Sequence, residues 1–226
     1  NFASIVRAIE EGRTQFRNVK RTSFFLITTN IAESGTLLAF LLLGLPLPLL
    51  PIHILWLNLI GGGATDIALA TEKVHDDILT EPPRKSHEPL LDKSSTPFIF
   101  IVTTTMILLG LLVFNIFETG GEVKARSALF ALLSLSQLWN LYTMRSLKLP
   151  TFKLGLFSNK NINIAVVFSI ALLLMVLYIP VLRGFFSLSY LSFTELFGIF
   201  ALSFVVFTVG ESIKLFKTNS VSVRHL

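Results

Sequence analysis

The chain has 226 residues, of which 52% are hydrophobic, with 21 Phe, no Cys and a formal net charge of +5; its mean hydropathy is +0.71. That composition excludes an ordinary soluble domain, and runs of about 18 or more apolar residues recur, as in polytopic membrane proteins. The lack of cysteine excludes thiol chemistry, disulfides and cysteine-type metal sites, and the scatter of basic residues between apolar runs speaks against nucleic acid as a partner.

Phe2, Ile5, Val6 and Ile9 recur at helical spacing, with Arg7, Glu10, Glu11 and Arg13 on the opposite face. This is a solvated helix that packs on something outside the chain. Gly12 interrupts it; Phe16, Val19, Lys20 and Arg21 then lead without a breaker into apolar sequence, as a cytoplasmic stalk running into a membrane does. The opening on Asn1, with no leader segment, reads as a piece of a longer polypeptide.

Six apolar stretches reach the ~20 residues that a bilayer demands: 22–45, 52–71, 96–117, 125–144, 161–182 and 191–213. The fold class is therefore all-α, a polytopic membrane bundle of six transmembrane helices. A turn rich in proline (Pro46, Pro48, Pro51) joins the first two spans. The fourth span is the least hydrophobic, with Ser134, Ser136, Gln137, Asn140 and Thr143 along it. Sixteen Lys and Arg fall on one side of these spans, and only Lys124, Arg126 and Arg183 on the other. By the positive-inside rule both termini are cytoplasmic. The domain reading is a stalk over 1–21, a helix hairpin over 22–72, a cytoplasmic connector over 73–95 punctuated by Pro82, Pro83 and Pro89, a supporting four-helix region over 96–217, and a cytoplasmic tail over 218–226. Asp76, Asp77 and Glu81 lack the alternation and glycine of a calcium loop and read as a solvated face. His53, His75, His87 and His225 have no partner at ligand spacing.

The hairpin carries the chemistry. A carboxylate in mid-membrane costs roughly 2.5–3.5 kcal/mol, and here there are two, Glu33 and Asp66, in adjacent spans. Asn30 and Glu33 share one helical face at i, i+3, with Thr29 beside them. Asn58 and Asp66 are i and i+8, and Gly61, Gly62 and Gly63 lie between them. Three successive glycines cost ~1 kcal/mol each in a helix, so the sequence predicts unwinding there, with carbonyls freed to line a cavity. Gln137 and Asn140, again i and i+3, add amides from the fourth span. Hard cations take several such oxygens, and carboxylates beside broken helices build cation sites in transporters. Helix glue through hydrogen bonds is the competing explanation for the amides and Thr29, but glue does not call for two acids. Glu195 and Glu211 read as interfacial, Glu211 pairing with Lys214 or Lys217.

Several segments now point one way. Asn1 to Val6 with Glu11-Gly12-Arg13, Thr29-Asn30-Ile31-Ala32-Glu33, Leu55-Trp56-Leu57-Asn58-Leu59, Asp77-Ile78, Pro82-Pro83-Arg84 and Glu88-Pro89-Leu90-Leu91 together resemble the C-terminal membrane region of type II P-type cation-transporting ATPases, the calcium and sodium–potassium pumps, from about Asn1 to Lys217. The resemblance implies that the six spans are helices five to ten of a ten-helix pump. It assigns Asn30 and Glu33 to fifth-helix ion ligands, Asn58 to a sixth-helix ligand, and Gln137 and Asn140 to eighth-helix positions. The chain departs from the family where Gly61-Gly62 replaces the usual sixth-helix Thr-Asp; Asp66, one turn on, is within reach of the same cavity. The resemblance further implies that the transported cation, Ca2+ or Na+/K+, binds here. ATP and Mg2+ belong to actuator, nucleotide-binding and phosphorylation domains upstream of Asn1. No catalytic residue is expected within the chain. The lipid bilayer and those upstream domains are the implied partners, in the cell membrane. The other readings are a stand-alone six-span channel or secondary carrier, and a pump-like scaffold with a degenerate ion site.

Overall fold

A computed structural model describes residues 1–72 and 95–222. Within them the chain is helical, with no strand. Helix α1 runs unbroken over Phe2–Leu42, 41 residues, which at 1.5 Å per residue is about 60 Å, twice a bilayer core. Stalk and first span are thus one rod, and Gly12 sits inside it without interrupting it. The rod stops because Gly44 adopts φ 67, where a side chain would be strained. Gly44 N–H then donates to the Leu41 carbonyl and Leu45 N–H to that of Phe40 at 2.9 Å. These two bonds satisfy carbonyls that the helix end leaves open.

Pro51 begins α2 (Pro51–Trp56), where its missing N–H is no loss. A π-helical turn, Leu57–Gly62, follows, and α3 (Gly63–Ala70) continues the same rod. The glycines therefore do not unwind the span as the sequence predicts. The helix widens instead, which keeps its backbone groups bonded in a medium that offers no water.

Helices α4 (Thr96–Glu118) and α5 (Glu122–Met144) are joined by a tight turn at Gly121, φ 97. The short α6 (Thr151–Leu154) precedes α7 (Lys160–Tyr178). The predicted span 161–182 ends early, because Ile179 is extended before Pro180 and a separate α8 (Pro180–Phe185) begins there. Helix α9 covers Phe193–Ser222. Five of the rods are long and apolar enough to cross a membrane: Phe2–Leu42, Pro51–Ala70, Thr96–Glu118, Lys160–Tyr178 and Phe193–Phe216. The remaining long helix is α5, whose polar residues lower its hydropathy. It is nevertheless the central helix, packed by α4, α9, α1 and α7, so those residues meet protein rather than lipid. The connector 73–94, with Asp76, Asp77, Glu81, His75 and His87, lies outside the described residues, as does His225.

Two glycines mark close approaches and differ in what they tolerate. A Cβ on Gly210 of α9 would sit 2.5 Å from Thr143 Cγ2 of α5; one on Gly35 of α1 would meet Ile107 Cδ1, also at 2.5 Å. Thr143 is β-branched, stiff at χ1, and its hydroxyl is already bonded to the Trp139 carbonyl. Ile107 offers only the free end of a longer chain. Gly210→Ala is expected to destabilise the protein by about 1–3 kcal/mol and Gly35→Ala by much less. Thermal unfolding in detergent, read by tryptophan fluorescence, checks the order.

Candidate cation site

Glu33 lies about three-quarters of the way along α1, and only 4% of it is exposed. Its Oε1 accepts from Gln137 Nε2 of α5 at 2.6 Å, and its Oε2 from Asn58 Nδ2 of the π turn at 3.1 Å. One carboxylate thus holds three rods together. Charge-assisted bonds contribute about 1.5–3 kcal/mol each, so two of them offset the cost of placing the acid in hydrocarbon. Asn58 also donates to its own turn, at Ile54 O, 3.0 Å.

Several buried polar atoms on α3 and α5 lack partners. They are Asp66 Oδ1, Gln137 Oε1, Ser136 Oγ and both amide atoms of Asn140. Asn140 is fully buried. Gln137 and Asn140, i and i+3, share a face of α5. An unmade buried hydrogen bond costs about 1–3 kcal/mol, and folded proteins rarely leave several together. Of these, Gln137 itself holds Glu33, with Ser136 next to it in sequence and Asn140 three residues on. Rotating the terminal torsion of Gln137 or Asn58 exchanges an N–H donor for a carbonyl oxygen. Each amide can thus present either an N–H or an oxygen to this space.

The other sequence candidates divide. Thr29 is buried, but its hydroxyl is spent on the Phe25 and Leu26 carbonyls at 3.0 and 3.1 Å. Asn30 lies on the exposed flank of α1, although it is only three residues from Glu33. Asp66 is half-buried, and one of its oxygens would lie 3.6 Å from a Cβ at Gly62. Among the described residues no three His, Cys, Asp or Glu side chains gather, so the ligands around Glu33 are chiefly amides.

Three arrangements had no clear sign in the sequence. Glu211 pairs with Lys214 at 2.6 Å, as its sequence position suggests, but it is also buried in protein: Thr151 donates to it from its backbone N–H at 2.6 Å and its hydroxyl at 2.8 Å. The loop that carries α6 folds over it and removes it from water. Glu195 does remain at a surface, paired with Lys124 at 2.6 Å. His53 is fully buried; its Nδ1 accepts from Leu50 N–H at 3.2 Å, which leaves Nε2–H to donate to the Phe186 carbonyl at 2.7 Å. The third is the buried pair of Glu72 and Arg145, taken up below.

An apolar helical bundle with an acid bridging three of its rods suits a polytopic membrane region. Residues 46–216 match the family described as cation transporting ATPase, C-terminus. The chain belongs to that family, and its likeness to the C-terminal membrane region of type II P-type ATPases holds over nearly its whole length. It is 33% identical to calcium-transporting ATPase 1 of Bacillus cereus over 97% of the chain and 27% of that protein. It is 31% identical to calcium-transporting ATPase type 2C member 1 of Pongo abelii over 95% of the chain and 24% of that protein. Against the probable cation-transporting ATPase F of Mycobacterium bovis it is 30% identical, over 83% and 21%. The chain thus spans about a quarter of the length of these relatives.

Proposed function

We propose that the chain is the ion-carrying core of an ATP-driven cation pump, and that Glu33, with Asn58, Gln137, Asp66 and Asn140, forms the intramembrane site for Ca2+ or for Na+/K+. Thr29 and Asn30 flank that site on α1. The observation that carries this reading is the bridge at Glu33: a buried carboxylate held by amides from two other rods, one of which, Gln137, has its own oxygen unpartnered. A cation of one or two charges neutralises what the bilayer penalises. Asn30 and Asn58 are both exposed, which suits cover by the rest of the pump, since the chain spans only about a quarter of its relatives. ATP and Mg2+ act in those other domains, and their phosphorylation cycle pulls on the stalk half of α1, which is continuous with the helix bearing Glu33. Both termini then lie in the cytoplasm, and the pump in the cell membrane. Of the alternatives, the degenerate scaffold draws support from Gly62, which puts no acid where the family has one.

The test is ATP hydrolysis by the full-length protein, titrated separately with calcium, sodium, potassium and manganese. Saturable stimulation by one of them is the expected result. A rate indifferent to all four leaves the degenerate scaffold standing.

A further inference from the structure

We propose that Glu72 and Arg145 are a positioning pair for the cation site, a buried junction that fixes the C-terminal ends of α3 and α5 against α1, the three rods that meet at Glu33. The proposal rests on the site reading above and adds residues that touch no ion.

Arg145 follows α5 directly and lies eight residues beyond Gln137, about 12 Å along the helix. Its side chain and that of Glu72 are 0% and 1% exposed. Arg145 Nε and Nη2 donate to the two carboxylate oxygens of Glu72 at 2.9 and 3.2 Å. Its Nη1 donates to the carbonyls of Gly155 at 2.8 Å and Leu156 at 3.2 Å, and Nη2 also reaches Ser158 Oγ at 2.6 Å. All five guanidinium N–H groups are therefore used, a pattern that a lysine with three donors and no plane cannot copy. Glu72 takes a further bond from Asn159 Nδ2 at 3.0 Å.

The junction continues into α1. Asn18 Nδ2 donates to the carbonyls of Ala70 at 2.8 Å and Glu72 at 3.1 Å, while its Oδ1 accepts from Arg21 Nη1 at 3.0 Å. Asn18 lies fifteen residues before Glu33, about 22 Å along one rod. The C-terminal ends of α3 and α5 are thereby tied to one another and to the middle of α1.

Stability alone is a poor reason for this arrangement, because buried ion pairs can often be replaced by apolar residues without loss of stability. Placement is a better one. Helix α3 is only eight residues long and follows a π turn, a segment with little intrinsic stiffness of its own. With its far end pinned to α1 and α5, Asn58 and Asp66 stay at a fixed height and rotation relative to Glu33. With the end free, α3 can slide or turn, and the ligands lose register while the rest of the bundle stays packed.

The experiment uses the full-length protein and calcium-stimulated ATP hydrolysis. It reads the half-saturating calcium concentration and the maximal rate separately for Glu72→Gln, Arg145→Lys, Asn18→Ala and the double variant Glu72→Gln/Arg145→Lys, with Glu33→Gln alongside. A tenfold or greater rise in half-saturating calcium for each of the first two, a smaller rise for Asn18→Ala and a double variant no worse than either single one are expected. Maximal rate per folded molecule should stay within twofold. If the junction variants lower only melting temperature or yield while half-saturating calcium holds, the pair is structural and the proposal fails, and Glu33→Gln shifting alone leaves the site reading intact. If Glu33→Gln also changes nothing, both fall. Asn18→Ala, which keeps the ion pair, decides the matter should the charge variants not fold.

Discussion

Glu33→Gln in the full-length protein should raise the half-saturating cation concentration by about one to two powers of ten, and should not lower thermal stability. The two halves follow from the same geometry. Glu33 holds both amide neighbours through two oxygens; glutamine has one oxygen and an amino group, and it faces Gln137 or Asn58 with donor against donor. A charged ligand and one bond are lost, and at about 1.5–3 kcal/mol for such a bond the effect on affinity is roughly 10- to 100-fold. Stability moves the other way, because the substitution removes a charge that hydrocarbon penalises by roughly 2.5–3.5 kcal/mol. Cation titration of ATP hydrolysis, paired with a melting curve in detergent, measures both. Loss of affinity accompanied by a large drop in melting temperature would mark Glu33 as helix glue. Unchanged affinity would remove it from the site altogether.

The sequence shows this bridge more clearly than it shows most of the fold, because an acid in an apolar run is conspicuous on its own. Glu33, Asn58 and Gln137 could be grouped before any coordinates were known, as could the helices, since lipid imposes an apolar length that is easy to count. What the sequence hides are features set by pairing at a distance. Arg145 and Glu72 are 73 positions apart; one looks like an ordinary basic residue at a membrane edge and the other like the first residue of a polar connector. Burial turns them into a polar junction that uses every donor of Arg145. Glu211 is similar: Thr151, at the start of α6, caps it with both its backbone N–H and its hydroxyl. Asn30 shows the converse limit. Spacing correctly puts it near Glu33, but i and i+3 differ by about 60° around a helix, and that is enough to separate a buried residue from an exposed one. The glycines reveal a weakness in the helix without revealing its form, for unwinding and a π turn relieve the same strain.

That π turn bears on the residue that seemed out of place. In a uniform α-helix, the eight steps from Asn58 to Asp66 rotate the chain about 800°, leaving the two side chains about 80° apart. A π turn advances about 85° per residue, so four such steps and four α steps leave them only about 20° apart. Helical side chains also lean back toward the N-terminus, and an Asp66 oxygen reaches within 3.6 Å of where a Cβ on Gly62 would be. The carboxylate of 66 thus sits close to where a residue at 62 would begin its side chain, and Gly62 leaves the room. Asp66→Ala should therefore raise the half-saturating cation concentration by about tenfold or more, and Gly62→Asp placed in that background should recover most of the loss. The aspartate fits, because a Cβ at Gly62 meets only Asp66 and the Leu57 carbonyl, at 3.6 and 3.8 Å. With Asp66 still present, Gly62→Asp brings two carboxylates to about 4 Å, a repulsion of about 1–4 kcal/mol; that single variant should bind worse than the wild type. The same substitution is harmful in one background and restorative in the other only if the two positions share one place in the site. Additive losses would mean that Asp66 serves elsewhere.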